Sequence, residues 1–474
     1  MDSKVKRVLI IGGGEAGAMV IKELLDHKEL SMKPVAVIDD DKTKQGTRIY
    51  GVVVVGGRGR IMNIVKTKKI HEIIIAMPSV SNSIIHDIIE ICKETKCRLK
   101  RLPGVYEWID DQVIIQQIRD VDIEDLLGRE PVRCDLEAIS HYIKDQVILV
   151  TGAGGSIGSE LCRQIAVMGP LKLVILDNYE NNAFYLEQEL HSRFPQLDLK
   201  VCMGSIQDAT RINQIFSDCR PTVVFHAAAH KHVPLMEANP TEAIKNNIFG
   251  TLHVAEAADR YGATKFVLIS TDKAVNPTNI MGATKHVAEM IIQAMDKHSA
   301  TEYTAVRFGN VLGSNGSVLT LFRQQIERGG PLTVTHPEVT RFFMTIPEAV
   351  QLVIQAGALA KGGEIFVLDM GSPVRIMDLA RDYIRLSGLE PDKDIQIEII
   401  GLRPGEKLYE ELLLSDEGLQ ATTHHKIFIG QPTFSDLAKL KEELEQLSMM
   451  LAGNQQELIA CMQRLVPTYT SAFV

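Results

Sequence analysis

Gln146-Val-Ile-Leu-Val-Thr-Gly152-Ala-Gly-Gly155-Ser-Ile-Gly158 is the stretch that decides the fold. Its run of apolar, mostly β-branched residues predicts a buried parallel strand, and the glycines predict a tight turn into a helix. Asp177 ends the next predicted strand, about 20 residues further on, where a carboxylate can bind a ribose hydroxyl. The glycines also let a pyrophosphate approach the backbone at the start of the helix. This spacing predicts a dinucleotide-binding unit.

A second stretch of the same form lies near the start of the chain, Arg7-Val-Leu-Ile-Ile-Gly12-Gly-Gly14-Glu-Ala-Gly17, with Asp39 in the place of the ribose acid. Nothing later in this part offers a clear acid, base or nucleophile. A regulatory or structural domain is therefore at least as well supported as a second dinucleotide site. Together the two stretches predict an α/β protein with two Rossmann-like doubly wound parallel sheets, the second with a smaller C-terminal substrate-binding lobe.

The remaining pattern predicts how the chain is divided. We expect an N-terminal Rossmann-like domain over 1–120, a connector over 121–145, a catalytic domain with its lobe over 146–430, and a C-terminal helical segment over 431–474. Further strands are predicted at 35–39, 51–55, 71–78, 171–176, 198–203, 222–226, 265–271 and 303–308. Leu437, Leu440, Leu444, Leu447 and Leu451 form one stripe, which predicts a final helix docked on the same subunit.

The composition excludes several classes of protein. The chain has 474 residues and a formal net charge of −9, which argues against a general affinity for nucleic acid or anionic membranes. Seven cysteines without a C-x-x-C pair fit reduced thiols and a cytoplasmic location. No apolar run approaches the ~20 residues of a membrane-spanning helix, and the start of the chain shows no signal peptide. We expect a cytoplasmic protein, with the soluble part of a membrane-anchored protein as the alternative.

An acid and a base follow the predicted strand over 265–271. Asp272 and Lys273 come at its carboxyl end, where open α/β sheets bind their ligands. Met281 and Lys285 lie four residues apart and share one face of the next predicted helix. A carboxylate and an amine at such a place predict proton transfer on a bound small molecule.

Other polar residues give weaker signals. His226, His230 and His232 are close together, but small residues between them fit a strand end against a cofactor, and we predict no metal site. Arg341 and Arg403 suit phosphate oxygens, although each fits an ordinary salt bridge equally well.

Six motifs together resemble the UDP-N-acetylglucosamine 4,6-dehydratases of the extended short-chain dehydrogenase/reductase superfamily, which make bacterial surface glycans. These motifs are Thr151–Gly158, His226–Glu237, Ser270–Pro277, Met281–Lys285, Arg307–Gly313 and Arg403–Lys407. The resemblance covers essentially the whole chain, and the large members also carry an N-terminal Rossmann-like domain. Many large members begin with transmembrane helices, which this sequence lacks. Met281 replaces the superfamily tyrosine, as in large members that are generally associated with retention at carbon 5.

The resemblance implies an internal redox dehydration of UDP-N-acetylglucosamine to a 4-keto-6-deoxy sugar. Lys273 is expected to remove the carbon 5 proton, so its pKa should be lowered by burial or by Lys285. Asp272 is expected to protonate the departing 6-hydroxyl, and so its pKa should be raised. Thr271 would bind the 4-hydroxyl, and Lys285 would bind the nicotinamide ribose. Catalytic residues are thus predicted to be Thr271, Asp272, Lys273, Met281 and Lys285.

The cofactor is predicted to be NAD, with NADP as the alternative, because Asp177 is followed by Asn178 and Tyr179 rather than by an arginine. The predicted cofactor-binding residues are Gly152, Gly155, Ser156, Ile157, Gly158, Asp177, Ser205, Ile206, Ala227, Ala228 and Lys285. The predicted substrate-binding residues are Lys231, Asn310, Arg341, Arg403 and Glu406.

Two other functions stay open at this point. A sugar-nucleotide epimerase of the same fold would favour a Tyr-x-x-x-Lys arrangement and would not need an Asp-Lys pair. A catalytically silent NAD-binding scaffold fits the missing tyrosine, although a scaffold has no need of that pair. We expect a homo-oligomer, because relatives commonly associate.

Overall fold

The computed structural model describes residues 5–103, 118–121, 125, 139–412, 418–430 and 436–471. Residues 122–124 and 126–138 of the predicted connector lie outside them. The chain forms two compact units. The first contains residues 1–131, 321–334 and 377–399, and the second contains 132–320, 335–376 and 400–474. The four-part division expected from the sequence stays a prediction.

The first unit is built on a seven-stranded sheet whose five central strands are parallel. In spatial order the strands are Arg48–Ile49, Val52–Gly56, Met32–Ile38, Lys6–Ile11, Glu72–Ile75, Arg98–Arg101 and Arg119–Asp120. Its apolar core includes Val8, Ile10, Val37 and Ile74, all without solvent exposure. The glycine turn after the strand Lys6–Ile11 is closed by Asp39, whose Oδ2 accepts a hydrogen bond from the Gly13 amide at 2.7 Å.

The second unit is built on a nine-stranded sheet. In spatial order its strands are Leu199–Met203, Lys172–Asp177, Val147–Thr151, Val223–His226, Lys265–Ile269, Glu302–Arg307, Ile365–Leu368, Ile427–Gly430 and Leu419–Ala421. The first seven strands are parallel, Ile427–Gly430 is antiparallel to the seventh, and Leu419–Ala421 is antiparallel to Ile427–Gly430. The first strand in sequence lies beside the second and the fourth, which is the doubly wound order. The two predicted Rossmann-like sheets are therefore confirmed.

Three two-stranded sheets complete the strand inventory of the described residues. They pair Asn310–Val311 with Phe343–Met344, Leu332–Val334 with Ile397–Ile399, and Thr340–Arg341 with Val374–Arg375. Most predicted strand ends lie within one or two residues of the observed ones. The strand predicted over 265–271 ends at Ile269 instead, because Thr271 begins a short turn over Asp272–Ala274 and its hydroxyl accepts from the Lys273 amide.

Helices connect the parallel strands. In the first unit they are Glu15–Asp26, Ile61–Lys68 and Asn82–Cys92. In the second unit they are Ser156–Val167, Glu180–Arg193, Ala209–Cys219, Val233–Ala238, Pro240–Ile244, Thr251–Arg260, Ile280–Asp296, Ile346–Leu359, Leu437–Met450 and Gln455–Leu465. Val318–Glu327 and Ile376–Leu386 each cross a boundary between the units. Among the described residues, no helix is long and apolar enough to cross a membrane.

The predicted C-terminal leucine stripe is observed. Leu440, Leu444 and Leu447 are buried on the helix Leu437–Met450, and they join the same apolar core as the helix Ile280–Asp296. Asp436 caps this helix by accepting a hydrogen bond from the Lys439 amide at 3.0 Å. The sequence did not predict the following helix, Gln455–Leu465, which adds Leu458 and Met462 to that core.

Candidate active site

The acid-base pair lies in the turn at the carboxyl end of the strand Lys265–Ile269. Lys273 Nζ is 2.9 Å from Asp272 Oδ1, and the Thr271 hydroxyl donates to the same oxygen at 2.9 Å. The Asp272 side chain has no solvent exposure, and its Oδ2 has no hydrogen-bond partner among the described residues. A buried carboxylate oxygen without a donor is costly, so a hydrogen-bond donor brought here by a ligand would be stabilising.

Two more polar side chains approach Lys273. Its Nζ is 3.3 Å from Asn310 Oδ1 and 3.4 Å from Glu410 Oε1. The same Glu410 oxygen lies 3.4 Å from Arg341 Nε. The sequence reasoning missed Glu410, although it belongs to the polar stretch that begins at Arg403, and that position was the one available signal.

The surroundings of Lys273 contradict the expected pKa. Burial alone would lower the pKa of this ammonium, but the carboxylates of Asp272 and Glu410 outweigh it, and the pKa is raised above its usual range. The expectation of a lowered pKa was wrong because it counted burial but not the carboxylates, of which the adjacent Asp272 raises the pKa most and Glu410, from a distant part of the chain, adds to it. In the structure as described, Lys273 is therefore a protonated amine between two acids.

Lys285 has the opposite surroundings. It lies on the helix Ile280–Asp296, which Asn279 caps by accepting a hydrogen bond from the Gly282 amide. Only 4% of Lys285 is exposed to solvent. In the described part of the chain its ammonium has no hydrogen bond and no ion pair. Burial lowers the pKa of Lys285 to about 8, although Glu289 partly opposes the effect. Met281, one turn earlier and predicted as a catalytic-site residue, is buried in the apolar core.

A buried ion pair lies beneath these residues. Arg307 and Glu289 are almost fully buried and form two hydrogen bonds, at 2.8 and 2.7 Å. The hydroxyl of Ser270 donates to Glu289 Oε1 at 2.5 Å. The pair joins the neighbouring strand Glu302–Arg307 to the helix that carries Lys285. The Ser270 hydrogen bond links the same helix to the segment that leads to Asp272.

The second glycine turn forms a close cradle. Gly152 has φ +66°, and a Cβ there would lie 2.7 Å from the backbone of Ala228. A Cβ on Gly158 would lie 2.1 Å from the Gly152 carbonyl oxygen. Asp177 accepts hydrogen bonds from the amides of Gly154 at 2.7 Å and Tyr179 at 2.8 Å. These contacts bring the strand end, the turn and the carboxylate together as the motif predicts.

Other predicted cofactor-binding residues border the same turn or its neighbours. Gly155 precedes the helix Ser156–Val167, and Ile157 packs against the apolar core. The hydroxyl of Ser156 accepts from the Asn315 amide at 3.0 Å. Ala227 and Ala228 follow the adjacent strand and bond to Thr151, whereas Ser205 and Ile206 follow the strand Leu199–Met203.

The histidine cluster does not share one site. His226 is buried, and its two ring nitrogens are 2.8 and 3.0 Å from the hydroxyls of Thr151 and Thr251. Burial, with a smaller contribution from Lys285, lowers the pKa of His226 to about 3, so its ring is neutral. Within the described ranges, no group of three potential ligands could hold a metal ion.

The predicted substrate-binding residues are only partly brought together. Arg341 lies beside Glu410, and it donates to the carbonyls of Thr340, Lys407 and Leu408. Glu406 lies 3.4 Å from Arg341 and accepts from the Arg403 amide at 3.1 Å. Asn310 contacts Lys273, as described above. Lys231 is exposed after the strand Val223–His226, and the Arg403 side chain is about half exposed.

Comparison with known proteins gives the family. Residues 148–432 match the family model of polysaccharide biosynthesis proteins, and residues 2–103 match a CoA-binding domain. The chain belongs to the polysaccharide biosynthesis protein family. The capsular polysaccharide biosynthesis protein CapD of Staphylococcus aureus is 50% identical over 90% of this chain and 72% of its own length. That match includes both units.

The names of two more distant relatives of this chain give two different activities. A UDP-N-acetylglucosamine 4,6-dehydratase (inverting) of Campylobacter jejuni is 34% identical over 57% of this chain and 78% of its own length. A UDP-glucose 4-epimerase of Rickettsia rickettsii is also 34% identical, over 58% of this chain and 80% of its own length. Similarity alone therefore does not choose between dehydration and epimerisation.

Solved structures agree with the fold. Pen from Bacillus thuringiensis has a TM-score of 0.57 and 36% identity, and the match covers 63% of this chain and 90% of Pen. The dTDP-glucose 4,6-dehydratase DesIV from Streptomyces venezuelae, solved with NAD bound, has a TM-score of 0.50 and 20% identity. That match covers 56% of this chain and 88% of DesIV. At this identity DesIV supports the fold alone.

Proposed function

We propose that the chain is a lyase that dehydrates UDP-N-acetylglucosamine to a UDP-4-keto-6-deoxy-N-acetylhexosamine, with retention at carbon 5, for bacterial surface glycans. The observation that carries the proposal is the contact between Lys273 and Asp272, 2.9 Å apart at the carboxyl end of a central strand. Dehydration needs one group to take a proton and another to give one, and this pair supplies both. The dehydratase relative supports dehydration, although its name specifies inversion, so it does not support retention.

The roles follow from the positions of the side chains. Lys273, as a neutral amine, would take the carbon 5 proton, which a ketone at carbon 4 makes acidic. Asp272, in its protonated form, would give a proton to the departing 6-hydroxyl. Thr271 already donates to Asp272, and its hydroxyl would face the 4-hydroxyl of the sugar. Lys273 has to lose a proton before it can act, because the two carboxylates around it raise its pKa.

The residues of the cradle fit NAD. The close approach of Gly152 and Gly158 leaves the turn free of side chains where a pyrophosphate would lie, and the Asp177 carboxylate suits a ribose diol better than a phosphate. NADP stays the alternative. Lys285 has no hydrogen-bond partner in the described structure, which suits binding to the nicotinamide ribose. When bound, NAD would accept a hydride from carbon 4 and return it to carbon 6.

The UDP part would be held by the polar residues around Arg341. The half-exposed guanidinium of Arg403 suits phosphate oxygens, and Lys231 adds a second positive charge. The guanidinium of Arg341 already donates to three carbonyls, so it would contribute mainly its charge. Asn310 and Glu406 would bind neutral donor and acceptor groups. Glu406 already fixes the Arg403 amide, so its contribution would include shaping that loop.

Two alternative functions, a sugar-nucleotide epimerase and a silent NAD-binding scaffold, each have some support. An epimerase is favoured by the Rickettsia relative, but Met281 cannot exchange a proton with the 4-hydroxyl as a tyrosine would. A silent NAD-binding scaffold is favoured by the missing tyrosine, but it does not account for a buried acid-amine pair.

We also infer a cytoplasmic homo-oligomer. Its buried free cysteines, Cys92, Cys97, Cys162, Cys202, Cys219 and Cys461, support a reducing compartment.

The test is proton NMR of the protein with NAD and UDP-N-acetylglucosamine in deuterated water. We expect a new carbon 6 methyl signal and deuterium at carbon 5, with ring couplings that show retention. Lys273→Ala should abolish this signal. Slow formation of UDP-N-acetylgalactosamine without a methyl signal would identify an epimerase. No reaction with binding intact would favour the scaffold or another sugar nucleotide.

A further inference from the structure

Glu410 is the acidic group at this site that the proposed chemistry does not use. Its side chain is 3% exposed, and Oε1 lies 3.4 Å from both Lys273 Nζ and Arg341 Nε. Its second oxygen, Oε2, is buried and has no hydrogen-bond partner in the described structure. A buried carboxylate is expensive unless neighbouring positive charges compensate it. Glu410 is therefore held in place by its two cationic neighbours.

The charges around Lys273 explain what Glu410 does to it. Asp272 lies on one side at 2.9 Å and Glu410 on another at 3.4 Å, and both favour the ammonium. Arg341 beyond Glu410 opposes them, as does the positive charge of Lys231. Asn310 and Thr271 are neutral. Asp272 is needed as the acid, so Glu410 is the other carboxylate among the described residues that lies within 4 Å of the amine and can control it.

We propose that Glu410 is a positioning residue that holds the Lys273 amine beside Asp272 and sets the pH at which this amine becomes a free base. This inference rests on the proposed function only where Lys273 is the base of the reaction. Proton loss breaks one N–H bond of the Lys273 ammonium and leaves the neutral amine, and water in the site accepts the proton. No bond in Glu410 changes.

Arg341 makes the effect of removing Glu410 predictable. Its Nη1 donates to the carbonyl of Thr340 at 2.7 Å, and its Nη2 donates to that of Lys407 at 2.8 Å. These bonds do not involve Glu410, so the guanidinium should stay in place when the Glu410 charge is removed. Lys273 would then have one carboxylate and one nearby guanidinium, and its pKa should fall.

The first experiment measures Lys273 directly. The full chain is labelled with ¹³C at the lysine ε carbons, and the Lys273 resonance is assigned with Lys273→Arg. We expect Glu410→Gln to lower the titration midpoint of Lys273 by about one pH unit or more, as the loss of an opposite charge within ~4–6 Å does. Glu410→Asp, which restores the charge, should move the midpoint back towards that of the wild type.

Glu411→Gln is the matched control, because it removes the same charge one residue away. Glu411 is exposed and accepts a hydrogen bond from Asn276 at 2.7 Å. We expect it to leave the Lys273 midpoint unchanged. The proposal is overturned if Glu410→Gln leaves the midpoint where it is in the wild type, or if Glu411→Gln lowers it equally.

The second experiment measures turnover of UDP-N-acetylglucosamine against pH. The acidic limb of kcat/KM should move to lower pH in Glu410→Gln by the same interval as the Lys273 midpoint, and it should not move in Glu411→Gln. A limb that stays in place while the midpoint moves would overturn the link between Glu410 and catalysis. If the wild type shows no turnover, the proposed function fails, and the titration still decides what Glu410 does to Lys273.

Discussion

Lys273 and Lys285 are two amines near one strand end whose surroundings move their pKa values in opposite directions. Burial acts on both, but Lys273 has carboxylates within 2.9 and 3.4 Å, whereas Lys285 has no ion pair in the described residues. The pKa is raised for Lys273 and lowered to about 8 for Lys285. Two titratable groups whose pKa values are moved apart in this way can take different roles at one pH.

Replacing Lys285 should change stability in a pH-dependent way. Its pKa falls from 10.5 to about 8 on folding, so the folded protein disfavours the ammonium. The resulting cost is absent above about pH 10.5, grows as the pH falls towards 8, and reaches about 3 kcal/mol below that. Lys285→Met should therefore raise the melting temperature at pH 7 more than at pH 10.5. Melting curves of the protein without cofactor at both pH values would test this, and an equal effect at both would contradict it.

At the scale of elements, the sequence predicts what neighbouring residues determine. The glycine turn at Gly152, the acid at Asp177 and the leucine stripe all depend on local spacing, and the structure contains each of them. Glu410 was missed because its contact with Lys273 joins segments far apart in the chain. The raised pKa of Lys273 was missed partly for this reason and partly because the adjacent Asp272, which raises it most, was given no weight against burial. A one-dimensional pattern carries no information about which distant charges become neighbours.

The buried pair Arg307–Glu289 should be strongly coupled. Removing the guanidinium in Arg307→Met leaves the buried Glu289 carboxylate with the Ser270 hydroxyl as its hydrogen-bond donor among the described residues, so we expect the free energy of unfolding to fall by about 3–5 kcal/mol. Glu289→Leu should also lower the free energy of unfolding, because the buried guanidinium of Arg307 loses its two hydrogen bonds to Glu289. The double variant should lose less than the sum of the two. Urea unfolding of all four proteins measures this, and additive losses would show that the pair does not act as a unit.

The C-terminal helix Leu437–Met450 should contribute to the core of the second unit. Leu447 has no solvent exposure, and Leu447→Ala should lower the free energy of unfolding by about 2–5 kcal/mol through the cavity that it creates. Met449→Ala on the same helix is the control, because Met449 is 81% exposed. Urea midpoints compare the two. Equal midpoints would mean that the helix is not held by its leucine stripe.

At the scale of the whole molecule, the two units do not follow the order of the chain. Residues 321–334 and 377–399 belong to the first unit, although the sequence assigns them to the catalytic domain. Within this unit, Lys93 Nζ lies 3.0 Å from Asp382 Oδ1, and Arg385 Nη1 lies 3.3 Å from Glu94 Oε1. The N-terminal sheet and a part of the predicted substrate lobe therefore lie in one compact unit. A substitution that removes a contact between these two parts should destabilise both.

Lys93 offers a test of this connection in the full chain. Its side chain is 11% exposed, and Lys93→Met would leave Asp382, 21% exposed, without its nearer cation. Losing one partner of a partly buried ion pair lowers the free energy of local opening by about 1 kcal/mol, which corresponds to roughly fivefold more frequent opening. We expect hydrogen–deuterium exchange to accelerate in residues 377–386. Lys22→Met removes the same charge from an exposed position on another helix of the unit and should leave those residues unchanged. Equal exchange in the two variants would show that the ion pair does not hold this segment to the N-terminal sheet.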